Sequence, residues 1–205
     1  MRLNEPAPDR AAPRPDGRVQ RTVATRRGIL DATRALLLAG VAEPVAREIA
    51  EAAGITPRTL FRHFDDMDAL YATLVREAEE QAIAVMNEPF ETASGSWEAG
   101  LDLIIERRAR VFESLLPLYA SRIWGRDAAA GRPAPRPSNA RMRQRLLEVL
   151  PAEMRTDAPL FEAINATLGL EFWVSLRRTQ QLDLPAARAA VRCALERLTG
   201  ARLAS

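Results

Sequence analysis

The chain has 205 residues with one Cys and one His, and Arg supplies every one of its 29 basic side chains against 27 acidic ones. One Cys permits no intrachain disulfide, and a single His with a single Cys cannot assemble the usual zinc site or a Cys–His nucleophile pair, so no catalytic residue, metal or cofactor is expected. No apolar run is long and charge-free enough to span a bilayer, and Met1 to Pro8 lacks the apolar core of a signal peptide; a cytoplasmic protein with no membrane partner is the expectation.

Residues 1–20 are rich in Pro, Ala and Arg and hold too few apolar side chains to offset the entropy of ordering them, which reads as a disordered basic tail. Net charge is only +2, so its distribution matters more than its sum. Arg10, Arg14, Arg18, Arg21, Arg26 and Arg27 gather ahead of the first helix, whereas Glu77, Glu79, Glu80 and Glu88 lie well beyond it. That helix is read from Ile29 to Leu38, with Ile29, Ala32 and Leu36 on one face and Gly40 as its stop.

The tract Ile49-Ala50-Glu51-Ala52-Ala53-Gly54-Ile55-Thr56-Pro57-Arg58-Thr59-Leu60-Phe61-Arg62-His63-Phe64 writes two helices about a sharp turn. Gly54 accepts a left-handed backbone after Ala53, Thr56 offers a side-chain oxygen as N-cap, and Pro57 fits the first helical position. Ile49, Ile55, Leu60 and Phe64 supply the buried side, Ala50 and Ala53 keep the crossing tight, and Arg58, Thr59, Arg62 and His63 remain outside. Taken alone, this also fits an ordinary helical hairpin with a polar face.

With its flanks, the segment Gly28 to Val75 resembles the DNA-binding domain of the TetR family of bacterial transcriptional regulators. The residues that carry the resemblance are Ile29-Leu30-Asp31-Ala32 through Leu38, Arg47-Glu48-Ile49-Ala50, Thr59-Leu60-Phe61-Arg62-His63-Phe64, and Asp65-Asp66-Met67-Asp68-Ala69-Leu70 at the opening of a fourth helix. The resemblance implies an operator-DNA contact set of Arg26, Arg27, Arg47, Thr56, Pro57, Arg58, Thr59, Phe61, Arg62 and His63. Arg58 and Thr59 would meet base edges, and Phe61 and His63 would position phosphate or sugar. Three departures stand out: Met67 where the family commonly has Lys, Pro44-Val45 where it has a hydroxyl residue, and a first helix about one residue shorter before Gly40.

Beyond residue 70 the chain reads as a helical body, 71–200, behind a head at 21–70. Met67 to about Asn87 is one helix stopping before Pro89. A loop, Glu91 to Ser96, precedes a long helix capped by Ser96 and carrying Leu101, Ile104, Ile105, Val111, Phe112 and Leu115. Pro117 marks a break, with a shorter helix from Leu118 to Trp124. Gly125 to Ser138 is a Pro- and Gly-rich mobile loop, Asn139 to Leu150 a helix, Ala158 to about Gln180 a long helix, and Ala186 to Leu198 the last, closed by Gly200. Cys193, among Ala190, Val191, Ala194 and Leu195, reads as a small buried hydrophobe.

The expected fold is thus all-α, a three-helix DNA-binding head followed by a ligand-binding and dimerisation body. The resemblance implies a homodimer built from the last two helices, with Leu168, Phe172, Leu176, Ala187, Ala190, Val191, Ala194 and Leu198 at the seam. It also implies a small-molecule effector in the body, for which Arg108, Phe112, Tyr119, Trp124, Phe161 and Asn165 are the candidates. Arg108 lies on an apolar stripe, where an uncompensated guanidinium is costly; an anionic ligand, an acid such as Glu171, or a path to water would relieve it. The function implied is a repressor on a palindromic operator, released by its effector. The alternative is a DNA-binding activator or architectural protein with no effector.

Overall fold

The computed structural model describes residues 17–90, 95–121, 123–124 and 136–200, and every regular element among them is helical. In chain order these are α1 (Gly17–Leu38), α2 (Ala46–Ala52), α3 (Pro57–His63), α4 (Met67–Asn87), α5 (Trp97–Tyr119), α6 (Pro137–Val149), α7 (Ala152–Thr156), α8 (Ala158–Thr167), α9 (Leu170–Val174), a π-helical turn (Ser175–Thr179) and α10 (Leu184–Thr199).

Two apolar clusters organise them. In the head, Ile29 and Leu30 of α1, Ile49 of α2, Leu60 of α3 and Leu70, Tyr71 and Leu74 of α4 are buried together with Phe64. Leu118 and Ile123, which follow from the body, join the same cluster. The second cluster is the body's own: Leu101, Ile104, Ile105, Val111, Phe112 and Leu115 of α5 pack against Met142 and Leu146 of α6, Phe161 and Ile164 of α8, and Ala187, Val191 and Leu195 of α10. α4 belongs to both, since Ala82 and Met86 lie in the body core. At Gly100 on α5 a Cβ would come within 2.9 Å of Val149 Cγ1, so only glycine allows α6 to sit that close.

Several expectations need correction. α1 begins at Gly17 rather than Ile29, taking in residues 17–20 of the expected tail. Its first turns bury nothing, with Val19 and Val23 more than half exposed, so no apolar stripe announced them. Pro117 does not break the chain: α5 runs through it to Tyr119, because a proline so near a helix end removes little of the hydrogen-bond ladder. No helix spans Leu118 to Trp124 as a separate element; Ser121, Ile123 and Trp124 lie in bends and turns. The single helix expected from Ala158 to Gln180 is three pieces, interrupted at Leu168-Gly169 and then widened into the π-helical turn closed by Gln180 N–H to Ser175 O at 2.9 Å.

Pro137 and Ser138 open α6 rather than ending a loop, and α7 was not expected. Cys193 is exposed, not buried: α10 turns Ala187, Val191 and Leu195 inward at helical spacing, and Cys193 falls on the opposite side. Ser96 caps α5 as expected, accepting from Ala99 N–H at 3.2 Å. The tail through residue 16 and residues 91–94 and 125–135, where the two loops were expected, lie outside the described residues.

Candidate nucleic-acid interface

The turn between α2 and α3 forms as its chemistry demands. Gly54 has φ +64°, and Ile55 N–H returns to Ala50 O at 2.9 Å. Thr56 Oγ1 accepts from Thr59 N–H at 3.2 Å and lies 3.1 Å from Thr59 Oγ1, while Pro57 takes the first helical position. The Thr59 hydroxyl is therefore partly engaged in the cap. α2 lacks a hydroxyl cap, as its Pro44-Val45 entry foretold, and two other contacts fix the chain entering it. Glu48 accepts from Val45 N–H at 2.9 Å, and the buried Tyr71 hydroxyl donates to Pro44 O.

What the two helices leave outside is a set of free cations. Arg47 on α2 and Arg58 and Arg62 on α3 are exposed, and none has an acidic or carbonyl partner among the described residues. Phe61, 45% exposed, stands beside them on α3. An unpaired guanidinium keeps its donors for phosphate oxygens or for guanine, and an exposed aromatic ring adds apolar contact with sugar.

Arg26 and Arg27, expected in the same set, are engaged elsewhere. Arg27 pairs with Asp31 one turn on, at 3.1 Å, with both groups largely solvated. Arg26 reaches across the head, donating to His63 O at 2.6 Å and Thr73 Oγ1 at 3.3 Å with its guanidinium carbon 4.0 Å from the Phe64 ring centroid. It binds the carbonyl end of α3 to α4, where a positive charge also suits the helix dipole.

The extended α1 supplies residues outside the expected contact set. Arg21, Thr22 and Thr25 form, with Arg62 and His63, an open polar concavity of about 430 Å³ at the carboxyl end of α3. The Arg cluster ahead of Ile29 was the available signal; its helical placement was not. Partial burial, followed by the charges of Arg62 and Arg26, holds the His63 imidazole below its ordinary value, so near neutral pH it is an uncharged donor or acceptor at the edge of a cationic surface.

Residues 29–74 match the model of the bacterial regulatory proteins of the tetR family. That segment is similar to the DNA-binding head of the TetR family of transcriptional regulators. Among solved structures, a TetR family transcription regulator from Marinobacter aquaeolei aligns with a TM-score of 0.52 at 16% identity, over 86% of this chain and 97% of that one. A chain from Mesorhizobium loti assigned to the same family gives a TM-score of 0.46, also at 16% identity, over 88% of this chain and 97% of that one. Comparison with curated proteins gives no match. The family match covers the head alone, and the likeness of the body is one of fold.

The candidate effector residues of the body are not gathered in one place. Arg108 is 3% exposed and donates to Leu168 O at 2.7 Å and to Met142 O at 2.8 Å. The break in the helix at Leu168 supplies the first of these carbonyls. Glu171 is exposed and is not its partner. Burial pushes Arg108 down to about 9, which still leaves it charged at neutral pH. Phe112 and Arg108 share a cavity of about 10 Å³ with Trp173, roughly the room for one water. Phe161 lies beneath the Arg143 guanidinium, Tyr119 and Trp124 form a tilted pair at 5.9 Å, and Asn165 is half-buried on α8.

The candidate dimer residues also divide. Leu168, Leu176, Ala187 and Val191 are buried within the body's own core, whereas Phe172, Ala190, Ala194 and Leu198 are only partly covered. Missed by the sequence reading was the acid that ties α5 to the segment carrying the π-helical turn. Glu113 accepts from Trp173 Nε1 at 2.9 Å and from Arg177 at 2.7 and 2.9 Å, and these bonds hold its carboxyl below the ordinary range against the opposing effect of burial.

Proposed function

We propose that the chain is a cytoplasmic repressor that binds a palindromic operator as a homodimer and leaves it when a small molecule binds. The observation that carries the reading is the group of unpaired, exposed Arg47, Arg58 and Arg62 on the two helices of the turn. Arg58, two residues past the Thr56 cap, has the position from which a recognition helix reads a base edge; Arg47, Arg62, Phe61 and His63 would fix phosphate and sugar around it. Arg26 acts behind this surface rather than on it.

A single head of this size presents one half-site, and two heads about 34 Å apart would read an inverted repeat with useful specificity. For the dimer, α10 offers exposed Ala186, Ala189 and Cys193 next to half-buried Ala190, Ala194 and Leu198, with half-buried Phe172 on α9. Small side chains there would let two helices approach closely, backed by the buried Leu168, Leu176, Ala187 and Val191.

Selection of duplexes from a random pool by the full-length protein, followed by sedimentation of the complex, tests the reading. The expected outcome is an enriched inverted repeat carrying two protomers, and repression of a reporter that places the repeat over its promoter. Enrichment of a single half-site by a monomer would refute the dimer. Activation of the reporter would favour the activator alternative.

A further inference from the structure

The described structure holds ligand-sized open volume at the joint between head and body, between the end of α1 and the end of α5. A cleft of about 470 Å³ is walled by Leu37, Leu38, Val41, Leu116 and Pro117, with Arg178 of the π-helical turn at its edge. A second cleft of about 260 Å³ shares Leu37, Leu38 and Pro117 and continues onto Leu74 and Ala78 of α4. Leu38, 72% exposed, presents its side chain to this open volume.

The charges around these walls are not equivalent. Arg34 is paired with Asp31 and Glu77, and Glu113 with Arg177 and Trp173 Nε1. Arg178 is exposed and has no partner among the described residues. Open, mainly apolar clefts whose only uncompensated lining charge among the described residues is positive favour an amphipathic anion over a cation or a neutral polar molecule. We propose that the joint cleft binds a small carboxylate with a short alkyl chain, the carboxylate on Arg178 and the chain along Leu37, Leu38 and Pro117. Its volumes sit around the lower end of those that hold drug-sized ligands, which sets the ligand's size.

The occupant would touch the head through α1 and the body through α5 and the π-helical turn, so a change in their separation is coupled to its binding. This site therefore rests on the effector-controlled regulator proposed above and gives that effector a place and a chemistry. Occupancy and its consequence remain separate measurements.

Isothermal titration calorimetry of the full-length protein with sodium octanoate, without DNA, measures occupancy. One saturable site per chain is expected, with affinity rising about fourfold per methylene from hexanoate to octanoate. Arg178→Gln should weaken octanoate about tenfold or more while leaving 1-octanol unchanged. Leu38→Gln, at an exposed position where folding is not at stake, should weaken both. Failure to saturate, or equal octanoate affinity in Arg178→Gln and the parent, overturns the proposal. So does a change of sedimentation in Leu38→Gln, which would make the cleft a contact between copies. Octanoate that saturates the site without releasing a selected duplex supports the site and removes the effector role.

Discussion

Replacement of Arg26 by Ala separates a structural arginine from a phosphate contact, the role its position in sequence implies. Three interactions would be lost: the bonds to His63 O and Thr73 Oγ1, and the stacking on Phe64. A charged donor on a carbonyl contributes about 1.5–3 kcal/mol, and a partly solvated cation–π contact about 0.5–1. Arg26 is half-buried, so water would recover some of this once the side chain is gone, and the expected loss is about 2 kcal/mol. Urea unfolding at fixed protomer concentration reads it as a lowered midpoint with unchanged slope. Arg26→Lys should fall between, because one ammonium cannot bridge both acceptors in the fork geometry. The salt dependence of duplex binding gives the second readout. A lost phosphate contact lowers the slope by about 0.9, whereas a lost brace leaves it unchanged and weakens binding only through the population of folded head. Stability within about 0.5 kcal/mol of the parent, together with a reduced slope, would refute the structural role.

Arg58→Ala should cost about 1–3 kcal/mol on the selected duplex and relax preference at one base position; equal weakening on random duplexes would place Arg58 on phosphate instead. His63, depressed below its ordinary value of 6.5, favours the folded state above that pH and withdraws this contribution as pH falls below it, while its protonation adds charge beside DNA. Free-protein stability should therefore fall, and affinity for any duplex rise, on acidification below pH 6.5, and His63→Gln should flatten both curves in parallel denaturation and anisotropy titrations. Arg108→Ala strands the Leu168 carbonyl and opens a cavity, for a loss of about 3–5 kcal/mol. Arg108→Met deletes a buried charge with its bonds and keeps the volume, so it should cost clearly less; equal losses in urea titrations would contradict that account. Ala190→Glu on α10 should give a monomer by sedimentation, and an unchanged dimer would move the seam elsewhere.

The helix-turn-helix was legible because its determinants are local: a residue tolerant of positive φ, a hydroxyl one turn before the N–H it caps, a proline where no donor is needed. The same local logic misled where tertiary contacts decide. Pro117 reads as a stop, yet two residues from a helix end it costs little. Cys193 has apolar neighbours in sequence, but the face of α10 that turns inward is set by Ala187, Val191 and Leu195, and those neighbours do not include Cys193 in it. Arg108 was correctly seen to need compensation. Its partners are two main-chain carbonyls from α6 and the α8–α9 junction, and no pattern of side chains encodes them. The first turns of α1 carry no apolar stripe because they rest on nothing, so composition read them as a tail. Among the candidate contact residues, the cations were legible in sequence, but which of them are already paired was not.

The head is held by more than its covalent link to the body. Leu118 and Ile123 come from the body, yet they are buried in the head's cluster beside Leu37 and Leu74, at 5% and 3% exposure. The head is therefore attached twice, covalently through α4 and by this apolar latch. α4 alone would let the head swing about one helix; the latch fixes its azimuth. Burying a leucine- or isoleucine-sized side chain contributes about 1.5–3 kcal/mol, so two such residues make a latch strong enough to orient the head and weak enough for a ligand of ordinary affinity to oppose. The joint clefts lie along its margin, where Leu37 and Pro117 wall both clefts and Leu118 lines the smaller. A molecule that spreads Leu37 from Pro117 competes with the latch without touching the DNA surface. Arg26, which binds α3 to α1 and α4, ties α3 to the rest of the head. Under the proposed function, a shift at the joint would then reach Arg58 and Arg62 as a change of angle rather than be dissipated inside the head.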